Sequence, residues 1–166
     1  MTCVKQVAEV ARLNDSEFPS FHNGKGLRMR ILLAVDESEY SEAAAELAAA
    51  QIRPEGAEVL IVHIMYPMVD MAEHRKQLSR SHEIVERTAQ VMNRAGFATE
   101  TDIIIVDEGD IRDAILQLAT KWHADLIVLG AHGSKGVRHF LLGNVSENVA
   151  RHAACSVLIV RPPSPR

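Results

Sequence analysis

This chain has little of what several classes of protein require. Of its 166 residues only two are cysteine, Cys3 and Cys155, and only 4% are aromatic. Two cysteines this far apart do not make a disulfide scaffold, and so few aromatic rings disfavour a base-stacking platform for single-stranded nucleic acid. We therefore expect both cysteines to be free thiols in a reducing compartment, which favours the cytoplasm.

Long apolar runs and an excess of basic residues are also lacking. The longest apolar runs, such as Val59–Val62 and Val157–Val160, have the length of a strand and fall far short of the roughly 18 residues of a membrane helix. No apolar segment follows Lys5, so no signal peptide is recognisable. With 18 Lys plus Arg against 22 Asp plus Glu, the net charge is −4. We therefore expect neither a membrane nor nucleic acid as a bulk partner.

The composition changes near residue 30. Residues 14–26 are polar and contain Pro19, Gly24 and Gly26, which indicates an irregular arm or linker. Residues 3–13 are compatible with one short helix, although isolated short helices are marginal in water. We expect one domain over residues 30–161, an N-terminal arm over residues 1–29 and a C-terminal tail over residues 162–166.

Strand-sized apolar runs alternate with helical segments five times after the arm. The predicted strands are, in chain order, Ile31–Val35, Val59–Ile64, Ile103–Val106, Asp125–Leu129 and Ser156–Val160. Helices are predicted between them over residues 39–52, 70–95, 111–122 and 145–152. Such alternation indicates parallel strands joined by right-handed helical crossovers, with helices on both faces. The predicted fold class is therefore a doubly wound α/β fold with a five-stranded parallel sheet.

The segment from Gly130 to Gly143 is the most informative part of the chain. It follows a predicted strand directly and ends at a predicted helix, and Gly133 lies within it. Glycine lets backbone N–H groups approach a ligand closely, and a helix N-terminus offers unpaired donors and a partial positive charge. Together these features suit a phosphate group, and ligands of open parallel sheets bind beyond the carboxyl ends of the strands.

The same segment is locally basic in an acidic chain. Its charged residues are Lys135 and Arg138, with no acid, and His132 and His139 add cationic potential. Glycines after strands are nevertheless common without any ligand, and the segment matches neither G-x-G-x-x-G nor G-x-x-x-x-G-K-[ST]. From the residues alone, a phosphate-binding loop and a purely structural loop both remain open.

The chain resembles the universal stress protein family over about residues 29–161. The resemblance rests on Leu32–Asp36, on Gly130-x2-Gly133-x9-Gly143, and on Val145–His152 leading to the last strand. It implies an adenine nucleotide alpha hydrolase-like fold with strand order 3-2-1-4-5. It also implies that the protein binds ATP, with Mg²⁺ held by the phosphates rather than by the protein. A homodimer is implied through the last strand, at Val157, Leu158, Ile159 and Val160.

The resemblance also assigns residues of this chain to the parts of a bound ATP. Ala34, Val35 and Asp36 would line the adenosine, and the backbone of Ile64 would meet the adenine edge. Leu129 and Gly130 would flank the ribose. The residues implied around the phosphates are His132, Gly133, Gly143, Asn144, Val145 and Ser146.

The roles of two of these residues, Asn144 and Asp36, remain open. The family has Ser or Thr where this chain has Asn144; Asn is a good N-cap, and Glu147 stands three residues on, as in a capping box. We therefore expect the difference to weaken nucleotide binding rather than abolish it. Asp36 follows a predicted strand, and it either caps the next helix or contacts the ligand.

Three functions are compatible with the sequence. The first is an ATP-binding regulatory homodimer with at most slow turnover, because no acid in the loop is placed to act as a general base. The second is a phosphate-accepting receiver with Asp36 and Asp107 as its acid pair, although Arg161 and Pro162 stand where a receiver needs Lys. The third is an interaction module that no longer binds nucleotide, as Asn144 would permit. No Cys/His cluster or H-E-x-x-H motif predicts a metal site.

Overall fold

The computed structural model describes residues 8–9, 29–106, 110–134 and 142–162, which form one sheet with helices packed on it. The strands are β1 (Ala8–Glu9), β2 (Met29–Ala34), β3 (Ala57–Met65), β4 (Ala98–Ile105), β5 (Leu126–Gly130) and β6 (Ser156–Val160). The helices are α1 (Glu39–Gln51), α2 (Met71–Arg94), α3 (Ile111–Lys121) and α4 (Asn144–His152).

The sheet is parallel throughout, and its spatial order is β1-β4-β3-β2-β5-β6. The five longer strands therefore have the predicted order 3-2-1-4-5, which confirms the fold class. Strand β2 is central, since Ile31 is level with Val59 of β3 on one side and with Leu126 of β5 on the other. The chain moves from β2 to β3 in one direction and later to β5 in the other, so the order reverses between β2 and β5.

Two apolar cores lie on opposite faces of the sheet. Residues such as Leu33 and Ile61 pack with Val85 of α2 on one face, together with α1. Leu32 and Val62 pack with Leu118 on the other face, together with α4. Because successive side chains of a strand point to opposite faces, strands covered on both faces need nearly continuous apolar runs. Helices on both faces are therefore confirmed.

The arm contributes a short strand where the sequence allows a helix. Ala8 and Glu9 pair in parallel with Ile104 and Ile105 of β4, so the helix considered for residues 3–13 is wrong at these two positions. A short isolated helix is marginal in water, whereas an extended segment pairs with the open edge of β4. The remainder of residues 1–28 lies outside the described residues.

Several predicted boundaries shift by a few residues. The largest shift is in β4, which begins at Ala98 rather than Ile103. Its first half is polar and half-exposed because it lies near the sheet edge, so an apolar run marks only its second half. Helices α2 and α3 have well-defined ends: the Asp110 side chain accepts from the N–H of Arg112 at the start of α3, and Gly96 has φ of +93° after α2. No helix among the described residues is long and apolar enough to span a bilayer.

Candidate functional site

The candidate site is the crevice where the strand order reverses. Ala34 ends β2, level with Val62 of β3 and with Leu129 of β5. Beyond this point the chain leaves β2 toward α1, on one face, and leaves β5 toward α4, on the other. Parallel sheets bind ligands at such a divergence, because the two departing segments leave a gap above the strand ends.

On the α1 side, Asp36 is surrounded by hydrogen-bond donors. Its Oδ1 accepts from the Ser38 N–H at 3.0 Å, the Ser38 hydroxyl at 2.5 Å and the Ser41 hydroxyl at 2.7 Å. Ser38, not Asp36, is the N-cap of α1, since its side chain accepts from the Ser41 N–H. The capping alternative for Asp36 is therefore wrong in its simple form, because Asp36 orders the capping residue instead.

On the β5 side, the chain after Gly130 is held by the backbone of neighbouring elements. The Ala131 N–H donates to the carbonyl of Val160 at 2.7 Å, and the Gly143 N–H donates to the carbonyl of Ala131 at 2.7 Å. The buried Ser146 hydroxyl lies 2.8 Å from the same Ala131 carbonyl. These contacts hold the start of the segment from Gly130 to Gly143, called the glycine loop below, against the first turn of α4.

The two sides of the crevice touch each other. The Ser134 N–H donates to Asp36 Oδ2 at 2.7 Å, and the Ser38 hydroxyl oxygen lies 3.3 Å from the carbonyl oxygen of His132. Gly133 lies between these contacts, and a Cβ placed on it would come within 2.9 Å of Asp36 Oδ2. The loop after β5 therefore approaches α1 only because residue 133 has no side chain.

The N-terminus of α4 has no side-chain cap. Its N-cap is Gly143, with no side-chain capping hydrogen bond, and Asn144 is the first helical residue. The predicted capping box is therefore wrong: the Glu147 N–H donates to the Gly143 carbonyl at 2.9 Å, and the Glu147 carboxylate pairs with Arg151. The other three described helices are capped by Ser38, Asp70 and Asp110. Because the first N–H groups of a helix have no partner within the helix, they leave a donor-rich end at the crevice.

The residues predicted to bind nucleotide lie at different depths around this crevice. Val35, Ile64 and Leu129 are buried in the two cores beneath it. His132 and Ser146 are also buried, whereas Gly133 and Asn144 are exposed. The remaining predicted residues, Ala34, Asp36, Gly130, Gly143 and Val145, are partly exposed. Four residues used in the sequence argument, Asp107, Lys135, Arg138 and His139, lie outside the described residues.

Sequence reasoning missed His63 and the two serines around Asp36. His63 is 7% exposed, and its Nδ1 has no hydrogen-bond partner among the described residues. Burial lowers the pKa of His63, against the smaller opposing effect of Asp36 and Glu37. The spacing Asp36-x-Ser38-x-x-Ser41 could have indicated the serines, because Ser is favoured at N-caps. A histidine inside an apolar run carries no comparable signal.

His132 is held by packing as well as by its backbone. Its ring meets the Tyr40 ring edge-on, with centroids 5.0 Å apart, and its Nδ1 is buried without a partner in the described part of the chain. Within the same described residues, no group of three or more His, Cys, Asp or Glu side chains could hold a metal ion.

Comparison with known proteins identifies the relatives of this chain. Residues 28–161 match the model of the Universal stress protein family. A relative from Thermus aquaticus, described as "Universal stress protein in QAH/OAS sulfhydrylase 3'region", is 36% identical over 135 residues. The alignment covers 79% of this chain and 97% of that relative.

Solved structures share the fold. The universal stress protein from Archaeoglobus fulgidus in complex with dAMP has a TM-score of 0.62 and 22% identity, and the match covers 82% of this chain and 100% of that one. A universal stress protein family protein from Arabidopsis thaliana with AMP bound has a TM-score of 0.58 and 19% identity, covering 82% of this chain and 93% of that one. At these identities the likeness establishes the fold.

Proposed function

Because this chain belongs to the universal stress protein family, we propose that it is a regulatory stress-response protein that binds ATP at the crevice between β2 and β5. The observation that carries the proposal is the uncapped N-terminus of α4, which stands directly beside the glycine loop. A phosphate group satisfies N–H donors of this kind and interacts favourably with the positive end of the helix dipole.

The placement of the nucleotide follows from the depth of the surrounding residues. Asn144 at the start of α4 and Gly133 are exposed and suit the phosphates, because charged groups remain partly hydrated there. The apolar strand ends at Val35, Ile64 and Leu129 suit the adenosine, whose base is a flat and largely apolar surface. The dAMP and AMP complexes of the two structural relatives support an adenine nucleotide as the ligand class.

We assign Mg²⁺ to the phosphates of the bound nucleotide. Phosphate oxygens with one or two protein groups and several waters are a usual environment for this ion. The protein residues would then act on the nucleotide through neutral donors, namely backbone N–H groups and the side chain of Asn144. We assign no catalytic residue and expect ATP turnover to be slow at most, so regulation through binding is the proposed activity, with the cytoplasm as its compartment.

The homodimer is proposed through β6. This strand is at the sheet edge, and three of its apolar side chains, Val157, Leu158 and Ile159, are only half-buried. Val160 completes the run. An exposed apolar edge favours pairing with another strand, and a second copy supplies the same strand across a two-fold axis. Light scattering at micromolar concentration should give twice the chain mass, and the chain mass alone would contradict this part of the proposal.

A thermal unfolding experiment tests nucleotide binding. Because a ligand of the native state must stabilise it, saturating ATP with Mg²⁺ should raise the melting temperature of the wild type. The double variant Gly133→Val and Gly143→Val should lose the shift, since a Cβ at these positions meets Asp36 Oδ2 at 2.9 Å and the Ala131 carbonyl at 3.2 Å. Ala154→Val also introduces a valine, at an exposed position beyond α4, and should keep the shift.

The second candidate is an interaction module that does not bind nucleotide. The presence of Asn144 in place of Ser or Thr favours it. No ATP-dependent shift in the wild type, with a dimer still present by light scattering, would support this candidate against the first.

A further inference from the structure

The Asp36 carboxylate connects the α1 side of the crevice to the glycine loop. Its Oδ2 accepts from the N–H of Ser134, 98 residues away in the sequence, at 2.7 Å. Hydrogen bonds to a charged acceptor are stronger than those between neutral groups. This contact therefore joins the backbone at Ser134 to the α1 side of the crevice.

The carboxylate is itself held in place. Its other oxygen, Oδ1, accepts from the N–H and hydroxyl of Ser38 and from the hydroxyl of Ser41. The Asp36 N–H donates back to the Ser41 hydroxyl at 3.0 Å. With donors on both oxygens, the side chain cannot rotate without breaking several bonds, so it is a rigid support for the loop.

The loop cannot be this close to Asp36 unless residue 133 is glycine. A Cβ at that position would lie 2.9 Å from Oδ2, which is shorter than van der Waals contact between carbon and oxygen. The glycine therefore has a role besides leaving room for a phosphate group, because it lets the carboxylate reach the next N–H.

We propose that Asp36 is a positioning residue for the phosphate-binding loop, whose Gly133–Ser134 backbone it holds on the α1 side of the crevice through the Ser134 N–H. This inference rests on the proposed function and replaces the adenosine-lining role that the family resemblance implies for Asp36, because both carboxylate oxygens already accept from donors of the protein. Asp36 acts on the phosphates through the loop backbone and does not touch them.

Electrostatics alone makes the opposite prediction for removal of this charge. A carboxylate near the phosphates repels them, so neutralising it should strengthen binding by Coulomb's law. Positioning requires that neutralising it weakens binding, because the loop loses its support. The sign of the change in affinity therefore distinguishes the two.

Calorimetric titration of ATP and adenosine into Asp36→Asn provides the test. Asn keeps an acceptor for Ser38 and Ser41, but its amide donor would face the Ser134 N–H. ATP affinity should fall about tenfold, as for loss of one charge-assisted hydrogen bond, while adenosine affinity should stay within about twofold. Glu37→Gln is the matched control, because it removes one exposed negative charge from the next residue and should not weaken ATP binding.

Ser41→Ala gives a second test that keeps the carboxylate charge. It removes one donor that orients Asp36, so ATP affinity should fall about twofold to threefold, again with adenosine unchanged. This variant keeps the inference open to refutation if Asp36→Asn does not fold.

Hydrogen exchange in the ligand-free protein separates this inference from the proposed function. The Ser134 amide should be protected in the wild type and exchange at least tenfold faster in Asp36→Asn. Unchanged exchange, unchanged ATP affinity, or an equal loss of ATP and adenosine affinity would each overturn the positioning role. If the wild type binds no nucleotide but the protection depends on Asp36, the proposed function is wrong, and only the structural contact remains.

Discussion

Helices α1 and α4 both begin at the crevice, yet their N-termini are satisfied in different ways. At α1 the first turn is closed by Ser38, which is itself ordered by the Asp36 carboxylate. At α4 the N-cap is Gly143, which has no side chain with which to close the turn. The protein thus supplies an anion of its own at the start of α1. This difference supports the proposed placement of the phosphates at α4 rather than at α1.

The stability of the protein should depend strongly on the Asp36 carboxylate, which orders the N-terminus of α1. Asp36→Ala removes the acceptor for four donors, so we expect the free energy of unfolding to fall by about 2 to 3 kcal/mol. At the open α4 end, Asn144→Ala removes no capping bond and should change it by less than about 0.5 kcal/mol. Urea unfolding of the two variants measures both values, and equal losses would contradict the difference between the helices.

A carboxylate at the N-terminus of α4 should give this helix an anion of the protein's own, as Asp36 does for α1. Asn144→Asp adds a negative charge at the first helical residue, which should weaken ATP binding about tenfold by repulsion of the phosphates. The same charge should slightly raise the melting temperature, because it favours the positive end of the helix.

Asn148→Asp is the control for this substitution. It adds the same charge one turn further into α4, where the N–H groups are already paired within the helix, so ATP affinity should change by less than about threefold. Calorimetric titration gives both affinities. Equal weakening in the two variants would mean that the phosphates do not lie at the first turn.

A serine at position 144, the residue type that the family resemblance implies there, should strengthen ATP binding at the N-terminus of α4. Asn144→Ser shortens the side chain and brings a hydroxyl to the same turn, so ATP affinity should rise by about twofold to fivefold. Competition between the two proteins for limiting ATP would detect so small a change. Tighter binding by the wild type would show that Asn144 increases the affinity for ATP rather than lowering it.

The α1 side should also respond to acid through His63. Burial lowers its pKa from 6.5, so the unfolded chain takes up the proton first. The stability that depends on neutral His63 is complete above pH 6.5 and is lost as the pH falls below that value. Between pH 7 and pH 5 the melting temperature of the wild type should therefore fall by more than that of His63→Gln.

Two further points make the His63 comparison specific. Burial raises the pKa of Asp102 to about 6. Protonation of Asp102 below that pH therefore favours the folded state, which opposes the effect of His63. Because Asp102 is present in both the wild type and His63→Gln, its contribution cancels in the comparison. His152→Gln, at the exposed end of α4, should follow the wild type. If His63→Gln also followed the wild type, His63 would not be the group responsible.

Most of the fold could be predicted because burial on both faces leaves a strong mark on the sequence. The runs at Ile31–Val35 and Val59–Ile64 have one physical explanation in a chain that alternates with helices, and the strand order came from the family resemblance. The pairing of Ala8 and Glu9 with β4 could not be predicted, because two residues at a sheet edge are too few to show a periodicity.

The site was predictable to a smaller extent. The glycine spacing and the strand ends marked the crevice, since those features are local. The contact of Asp36 with Ser134 joins positions 98 residues apart, and no local pattern predicts which N–H a carboxylate meets. The capping box at Asn144 was wrong for a related reason, because the Ser146 hydroxyl and the Gly143 N–H both bond to Ala131 and so start the helix one residue earlier.

The most direct test is to map ATP with Mg²⁺ onto the backbone amides by nuclear magnetic resonance. If the phosphates bind at the open end of α4, the largest shifts on titration should fall on Gly133 and on residues 143–146, with smaller shifts at the strand ends Val35 and Ile64. Absence of any shift, or shifts confined to the opposite end of the sheet around His123 and Cys155, would contradict nucleotide binding at this crevice.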